Sequence, residues 1–149
     1  MKKGFSLMEL MIVITIIAFL AMIAIPGLMK VLARAKRTEA LVNLRALYMA
    51  EKTFWAEHGN YTNILQGAGG LGWKPEGTLN YTYGFSNGSE GHSYFTGSLK
   101  TPASALQGSG VSEGGFTIAA AGDIDGDGKP DILTIDHTGA IKIVQDDLD

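Results

Sequence analysis

One long apolar run dominates the N-terminal part of the chain. Residues 10–29 contain no charged side chain, and at ~1.5 Å per residue a helix of this length spans the roughly 30 Å of a bilayer core. A secretory signal peptide would need small residues at its cleavage site, but Ile25 and Pro26 stand where such residues are required. The run also continues directly into a helical pattern. It therefore predicts a membrane-spanning helix.

Beyond the membrane segment, apolar residues recur at helical spacing as far as residue 58. This spacing is typical of a helix with one buried face, so the charged residues between them are expected on the outer face. Pro26 should bend the helix near the membrane boundary, and Gly59 is a residue type that commonly ends helices. One helix is predicted over residues 5–58, with residues 5–29 in the membrane and residues 30–58 packed on a head. The apolar positions of the second half are Leu28, Val31, Leu32, Ala35, Leu41, Val42, Leu44, Leu47, Tyr48, Phe54 and Trp55.

Residues 59–149 have a different composition, rich in Gly, Ser, Thr, Asn and Tyr. Short alternating runs separated by turn residues predict strands at residues 79–85, 116–121, 132–135 and 141–144. The connections at residues 63–78 and 97–115 show no clear element and are predicted to be surface loops. The expected fold class is α+β: a long N-terminal helix packed against a small antiparallel sheet, which forms the head.

Charge and cysteine content exclude several functional classes. The net charge is -3, with a basic cluster in residues 30–52 and all eight aspartates from residue 123 onward. The basic residues alternate with apolar ones at helical spacing and no reading motif accompanies them, so no specific nucleic-acid binding is predicted. The chain has no cysteine. Residues 110–114 fit a nucleophile elbow, but the chain has neither room for a hydrolase sheet nor a placed histidine and acid. No catalytic residue and no enzymatic activity are predicted.

Glu9 is the one acidic residue close to the apolar run. An ionised carboxylate in hydrocarbon costs several kcal/mol unless it is paired or neutralised, so a buried Glu9 would need a cationic partner. Alternatively, Glu9 lies at the membrane interface as a first-turn acid favoured by the helix dipole. The residues alone leave both interpretations open.

The segment Gly4-Phe5-Ser6-Leu7-Met8-Glu9-Leu10, followed by the apolar run and Pro26, resembles the N-terminal signature of type IV prepilins of the type IVa class. The resemblance implies that residues 1–4 are a leader, that a prepilin peptidase cuts between Gly4 and Phe5, and that the new amine of Phe5 is methylated. It further implies that the Glu9 carboxylate pairs with the methylated amine of Phe5 in a neighbouring subunit.

The same resemblance implies the pilin fold and the role of a major pilin. Such a precursor sits in the inner membrane with its N-terminus in the cytoplasm and its head in the periplasm. The pilus assembly machinery then builds a helical homo-oligomer that supports adhesion, twitching motility or DNA uptake. The count of basic residues beside the apolar run favours the opposite orientation. Two alternatives are the major pseudopilin of a type II secretion system and a non-polymerising bitopic protein with a calcium-binding domain.

An acidic loop at residues 123–131 is the one motif of the head that predicts a ligand. Asp123, Asp125, Asp127 and Asp131 occupy positions at which EF-hand-like loops carry oxygen ligands, and the carbonyl of Lys129 fits between them. Thr134 stands where the bidentate Glu of such loops is found. The loop therefore predicts a Ca²⁺ site. The alternative is a turn whose carboxylates are solvated.

Overall fold

The structure is a computed structural model that describes residues 4–148. Its contacts divide the chain into two compact units, Met1–Leu32 and Ala33–Asp149. The first unit is the apolar helical segment, and the second contains the rest of the helix together with the sheet. Of the predicted leader, residues 1–3 lie outside the described part of the chain.

A single helix, α1, spans Leu7–His58 and continues through Pro26. It begins two residues later than predicted, because Ser6 caps it: the Ser6 hydroxyl accepts a hydrogen bond from the backbone N–H of Glu9 at 3.1 Å. It ends where predicted. Gly59 adopts a φ of 75°, in the left-handed region that favours glycine, and its N–H donates to the carbonyl of Trp55 at 2.8 Å.

The N-terminal part of α1 is long and apolar enough to cross a membrane. Its most apolar window has a mean hydropathy of 2.7, and none of that window is buried inside the protein. The apolar side chains of this segment therefore need lipid or another protein chain to cover them.

The head is one antiparallel sheet of six strands in the order β2-β1-β4-β5-β6, with β3 also paired to β4. The last three strands were predicted almost to the residue, because turn residues separate these short apolar runs. The first predicted strand is much shorter in the structure, while β2, β3 and a short 3₁₀ helix were not predicted. The elements are β1 Thr82–Gly84, β2 Tyr94–Phe95, the 3₁₀ helix Ala103–Leu106, β3 Gly110–Ser112, β4 Gly115–Gly122, β5 Asp131–Asp136 and β6 Ile141–Gln145.

The core lies between α1 and one face of the sheet. Leu44 and Leu47 of the helix are fully buried in one cluster with Ile118 of β4 and Leu133 of β5. Burying each such side chain contributes about 1.5–3 kcal/mol. The α+β fold, with a long N-terminal helix on a small antiparallel sheet, is therefore confirmed.

The prediction that α1 carries its charges on the outer face holds for Arg34, Arg45 and Glu57, which are exposed, but is wrong for Arg37 and Glu39. Val42 and Trp55, which were predicted to be buried, are 64% and 48% exposed. Glu39 instead points into the head, where it accepts hydrogen bonds from the backbone N–H of Asn80 at 3.0 Å and the hydroxyl of Tyr83 at 3.2 Å. The head supplies polar partners for Arg37 and Glu39, so these two side chains turn inward.

A row of exposed, uncharged residues remains on the outside of α1, and we name it the outward stripe. Its members are spaced three or four positions apart and therefore lie on one face of the helix. They are Ala35, Thr38, Val42, Ala46, Met49, Thr53 and Ala56.

Candidate functional site

The first candidate site lies at the start of α1. Phe5 is 78% exposed and precedes the first helical turn. Glu9 is also exposed and belongs to that turn, with its backbone N–H bound to Ser6. No ion pair involves Glu9 within residues 4–148. The local geometry is that of a first-turn acid. Because no ion pair uses the Glu9 carboxylate within the described residues, it is available to a partner from another chain.

The second candidate site is the acidic loop between β4 and β5. Asp123 accepts hydrogen bonds from the N–H groups of Gly126 at 2.7 Å and Gly128 at 3.0 Å. Both glycines have a positive φ, of 88° and 90°, which lets the loop turn back on Asp123. Asp125 in turn accepts from the N–H of Asp127 at 3.0 Å. These bonds hold the loop in a tight coil with its carboxylates on the inside.

Four carboxylates meet at this loop, and one of them comes from outside it. Asp123, Asp125 and Asp127 each place an oxygen within 4.8 Å of the others and of Asp147. Asp147 follows β6 in sequence, is 7% exposed, and accepts the N–H of Ile124 at 3.0 Å. Burial raises the pKa of Asp147, and repulsion from the three loop carboxylates raises it further. The cluster therefore concentrates negative charge that a cation would neutralise.

Asp131 does not join this cluster, so the predicted ligand set is corrected at that position. Its side chain is fully buried and receives the Arg37 guanidinium, the Tyr81 hydroxyl at 2.6 Å and the N–H of Asp147 at 3.3 Å. Both of its oxygens are already used. Asp131 is the first residue of β5, and the strand turns its side chain toward α1.

Lys129 was predicted as a ligand through its backbone carbonyl, not through its side chain. Its side chain is 76% exposed, and its ammonium lies 3.9 Å from Asp127. A pair this exposed contributes little to stability.

Arg37 joins three parts of the head. From α1 it binds Asp131 at the start of β5 and Asp146 just after β6. Burial alone would lower the pKa of Arg37, but its bonds to the two carboxylates and their attraction raise it above its ordinary value. The neighbouring Lys36 donates to the carbonyl of Ile124 at 2.9 Å. The acidic loop is thus attached to α1 as well as to the C-terminal segment.

Two family models match separate parts of the chain. The prokaryotic N-terminal methylation motif matches residues 1–25, which include Gly4, Phe5 and Glu9. The FG-GAP repeat matches residues 115–144, which run from β4 through the acidic loop to β6.

Similar proteins include pilins and a component of a type II secretion system. The chain is 46% identical over 82 residues to the type IV major pilin protein PilA of Myxococcus xanthus (strain DK1622), covering 55% of this chain and 36% of that protein. It is 36% identical over 69 residues to a fimbrial protein of Neisseria meningitidis, covering 46% and 41%. It is 32% identical over 74 residues to the type II secretion system core protein G of Dickeya chrysanthemi, covering 50% and 48%. In each case the chain spans less than half the length of the relative.

A methylation motif at the start of an exposed apolar helix, followed in sequence by a small antiparallel sheet, is consistent with the α+β pilin fold. The N-terminal half of the chain is similar to the corresponding part of type IV major pilins and carries the prokaryotic N-terminal methylation motif.

Replacing Arg37 with methionine tests its joining role. Arg37→Met leaves the buried carboxylate of Asp131 without its cation, so we expect the head to lose about 3–5 kcal/mol of unfolding free energy. Denaturant titration of the full chain in detergent measures this loss. Arg45→Met is the matched control, because Arg45 is exposed on the same helix and its one side-chain hydrogen bond within the described residues goes to the carbonyl of Gly139. Equal, small losses in the two variants would refute the role.

Proposed function

We propose that the chain is the structural subunit of a type IV pilus, which polymerises through α1 after its leader is removed. The observation that carries the proposal is the exposed apolar start of α1 with one acid in its first turn. Lipid covers these side chains before assembly, and other copies of the same helix cover them in the filament. The pilin relatives support this assignment.

The outward stripe supports the same proposal for the second half of α1. A helix that faced only water would gain nothing from an uncharged surface, whereas small and apolar side chains let two helices approach closely. The stripe lies opposite the buried residues Leu44 and Leu47. Other copies of α1 therefore have a surface to pack against beyond the membrane segment.

Glu9 has a specific part in this proposal. Cleavage after Gly4 makes Phe5 the first residue and gives it a free amine, which methylation retains as a cation. The exposed Glu9 carboxylate of a neighbouring subunit pairs with that amine. Pairing lowers the cost of burying each charge, so subunits in the correct axial position are favoured.

The proposal also sets the partners and the location of the chain. A prepilin peptidase cuts between Gly4 and Phe5 at the cytoplasmic face of the inner membrane, and the pilus assembly machinery extracts the processed subunit. The head faces the periplasm until the subunit enters the extracellular filament. The methylation motif and the membrane-compatible helix support this route.

A second candidate is the role of major pseudopilin in protein secretion. The similarity to the Dickeya chrysanthemi core protein G favours it, but the similarity to the Myxococcus xanthus major pilin is higher and favours the pilus. Filaments that reach the outside of the cell distinguish the pilus from a periplasmic pseudopilus.

We also propose that Asp123, Asp125, Asp127 and Asp147 hold a Ca²⁺ ion, with the carbonyl of Lys129 as a further ligand. The donor set fits the ion, because all four side chains are hard oxygen donors whose atoms lie within 4.8 Å of one another. Burial raises the pKa of Asp147 and repulsion from the three loop carboxylates adds to it; a divalent cation would cancel that repulsion. The ion would supply a cross-link between the loop and the C-terminal segment, in a chain without cysteine.

Intact-mass measurement of purified filaments tests the processing. We expect the subunit mass to correspond to residues 5–149 plus one methyl group, because the peptidase cuts before a large apolar residue and methylates it. A subunit that keeps residues 1–4 would instead support the non-polymerising bitopic protein.

Replacing Glu9 with glutamine tests the assembly role. Glu9→Gln removes a charge that opposes insertion, so the membrane-bound amount should be unchanged or higher. Filament yield should fall on the order of tenfold or more, because the Phe5 amine loses its partner. Sheared filaments and membrane fractions are quantified in parallel. Glu57→Gln, at an exposed acid near the other end of α1, is the control and should assemble normally. Normal assembly of Glu9→Gln would rule out the pairing.

Thermal unfolding of the full chain in detergent tests the calcium site. Free Ca²⁺ at 100 times its Kd should stabilise the head by ~2.7 kcal/mol relative to chelator, because only the folded cluster binds the ion. Asp125→Asn and Asp147→Asn should both abolish this gain, although residue 147 lies outside the loop. The control is Asp136→Asn, because Asp136 lies outside the cluster and should leave the gain intact. Equal melting temperatures in Ca²⁺ and chelator for the unmutated chain would indicate a solvated turn.

A further inference from the structure

Glu51 is a carboxyl group that neither the filament nor the calcium proposal uses. It lies on α1 and is fully buried. Its Oε2 accepts a long hydrogen bond, 3.4 Å, from the backbone N–H of Thr62 in the segment that follows the helix. Its Oε1 is buried without any hydrogen-bond partner, and no other side-chain atom within residues 4–148 is in this situation. An incompletely satisfied buried carboxyl is costly and calls for an explanation.

The segment after α1 is held to the helix by few contacts. Tyr61 stacks on the half-exposed Trp55, with ring centroids 6.3 Å apart, and packs edge-on against Phe116 at 4.9 Å. The ammonium of Lys52 donates to the Tyr61 hydroxyl at 3.2 Å. Thr62 follows Tyr61 directly, so the Glu51 carboxyl and the Tyr61 ring hold adjacent residues of the same segment.

Among residues 4–148, no ion pair offsets the charge of Glu51. Lys52, next to it on α1, is directed to the Tyr61 hydroxyl, and the ring of His58 is bonded to the carbonyl of Phe54 at 3.1 Å. The segment at residues 59–65 contains no titratable side chain except Tyr61. Burial and the Thr62 N–H are the two influences on the pKa of Glu51, so no charge from the sheet contributes.

Taken together, burial and the Thr62 hydrogen bond favour the neutral form of the Glu51 carboxyl over the ionised form. Burial raises the pKa of Glu51 and the bond from the Thr62 N–H lowers it by less, so that the pKa of the folded protein is about 7. One long hydrogen bond does not replace the hydration that a carboxylate loses on burial. The folded pKa is above the unfolded value, so the closed segment loses stability as pH rises between those two values.

We infer that Glu51 is a proton-operated clasp, in which the neutral carboxyl holds residues 60–62 against α1 and the ionised carboxylate releases them. Release lets the carboxylate reach water, which satisfies both of its oxygens. It also separates Tyr61 from Trp55 and changes the surface that the head presents beside the end of α1. The clasp is half-ionised near neutral pH, so modest acidification closes it.

Hydrogen exchange of the full chain in detergent micelles tests the clasp. Amide exchange in a peptide covering residues 59–66 is measured at about pH 5.5 and about pH 8.5, and is corrected for the intrinsic effect of pH on exchange. If the released carboxyl has its ordinary pKa, the open population should rise about 30-fold between these conditions. Exchange in the core strand β4 should change much less over the same range.

Two variants and one titration make the result decisive. Glu51→Gln keeps the shape of the side chain without its charge, so exchange of the segment should become independent of pH. Glu57→Gln, at an exposed acid on the same helix, should retain the full pH dependence. Carbon NMR of the Glu51 carboxyl in the unmutated chain should show a midpoint near 7. An ordinary midpoint, equal corrected exchange at the two pH values, or a pH dependence that survives in Glu51→Gln would each overturn the inference.

Discussion

The double ion pair of Arg37 with Asp131 and Asp146 is the interaction on which the rest of the head depends. It is the point where the helix, the inner strand β5 and the segment after the edge strand β6 meet. Arg37 lies near the start of the compact unit Ala33–Asp149. Because Asp131 is fully buried, the pair requires close alignment of helix and sheet. The acidic loop, which ends at Asp131, takes its position from the same pair.

The inward direction of Arg37 and Glu39 contributes to the uncharged surface along the outside of α1. Arg37 and Glu39 find their partners in the head, through carboxylates, a tyrosine hydroxyl and an asparagine. The outward stripe is left to small and apolar side chains, which include Val42 and Met49. One helix thus has two buried faces in the proposed filament: the head covers one, and other copies cover the second.

Sequence periodicity predicted the end of α1 and the strands β4, β5 and β6, because these elements are long enough for a pattern to repeat. It could not predict β2 and β3, which have only two and three residues and depend on pairing with β1 and β4. It also could not tell a face covered by the head from one left for another chain, since both are apolar. In the acidic loop, spacing suggested Asp131, whereas Asp147 lies 16 residues further along and approaches only in the folded sheet.

The Ser6 cap gives the start of α1 an electrostatic property that bears on processing. The aligned peptide dipoles of a helix place about half a positive charge at its N-terminus. Cleavage after Gly4 would leave Ser6 in place as the cap and add a cationic amine one residue before it, so two positive charges would lie side by side. In a hydrocarbon surrounding this repulsion is weakly screened. The mature end of the helix would then be electropositive and would attract an anion. Glu9 lies in the first turn of the helix and is the acid that a second copy could bring to this end.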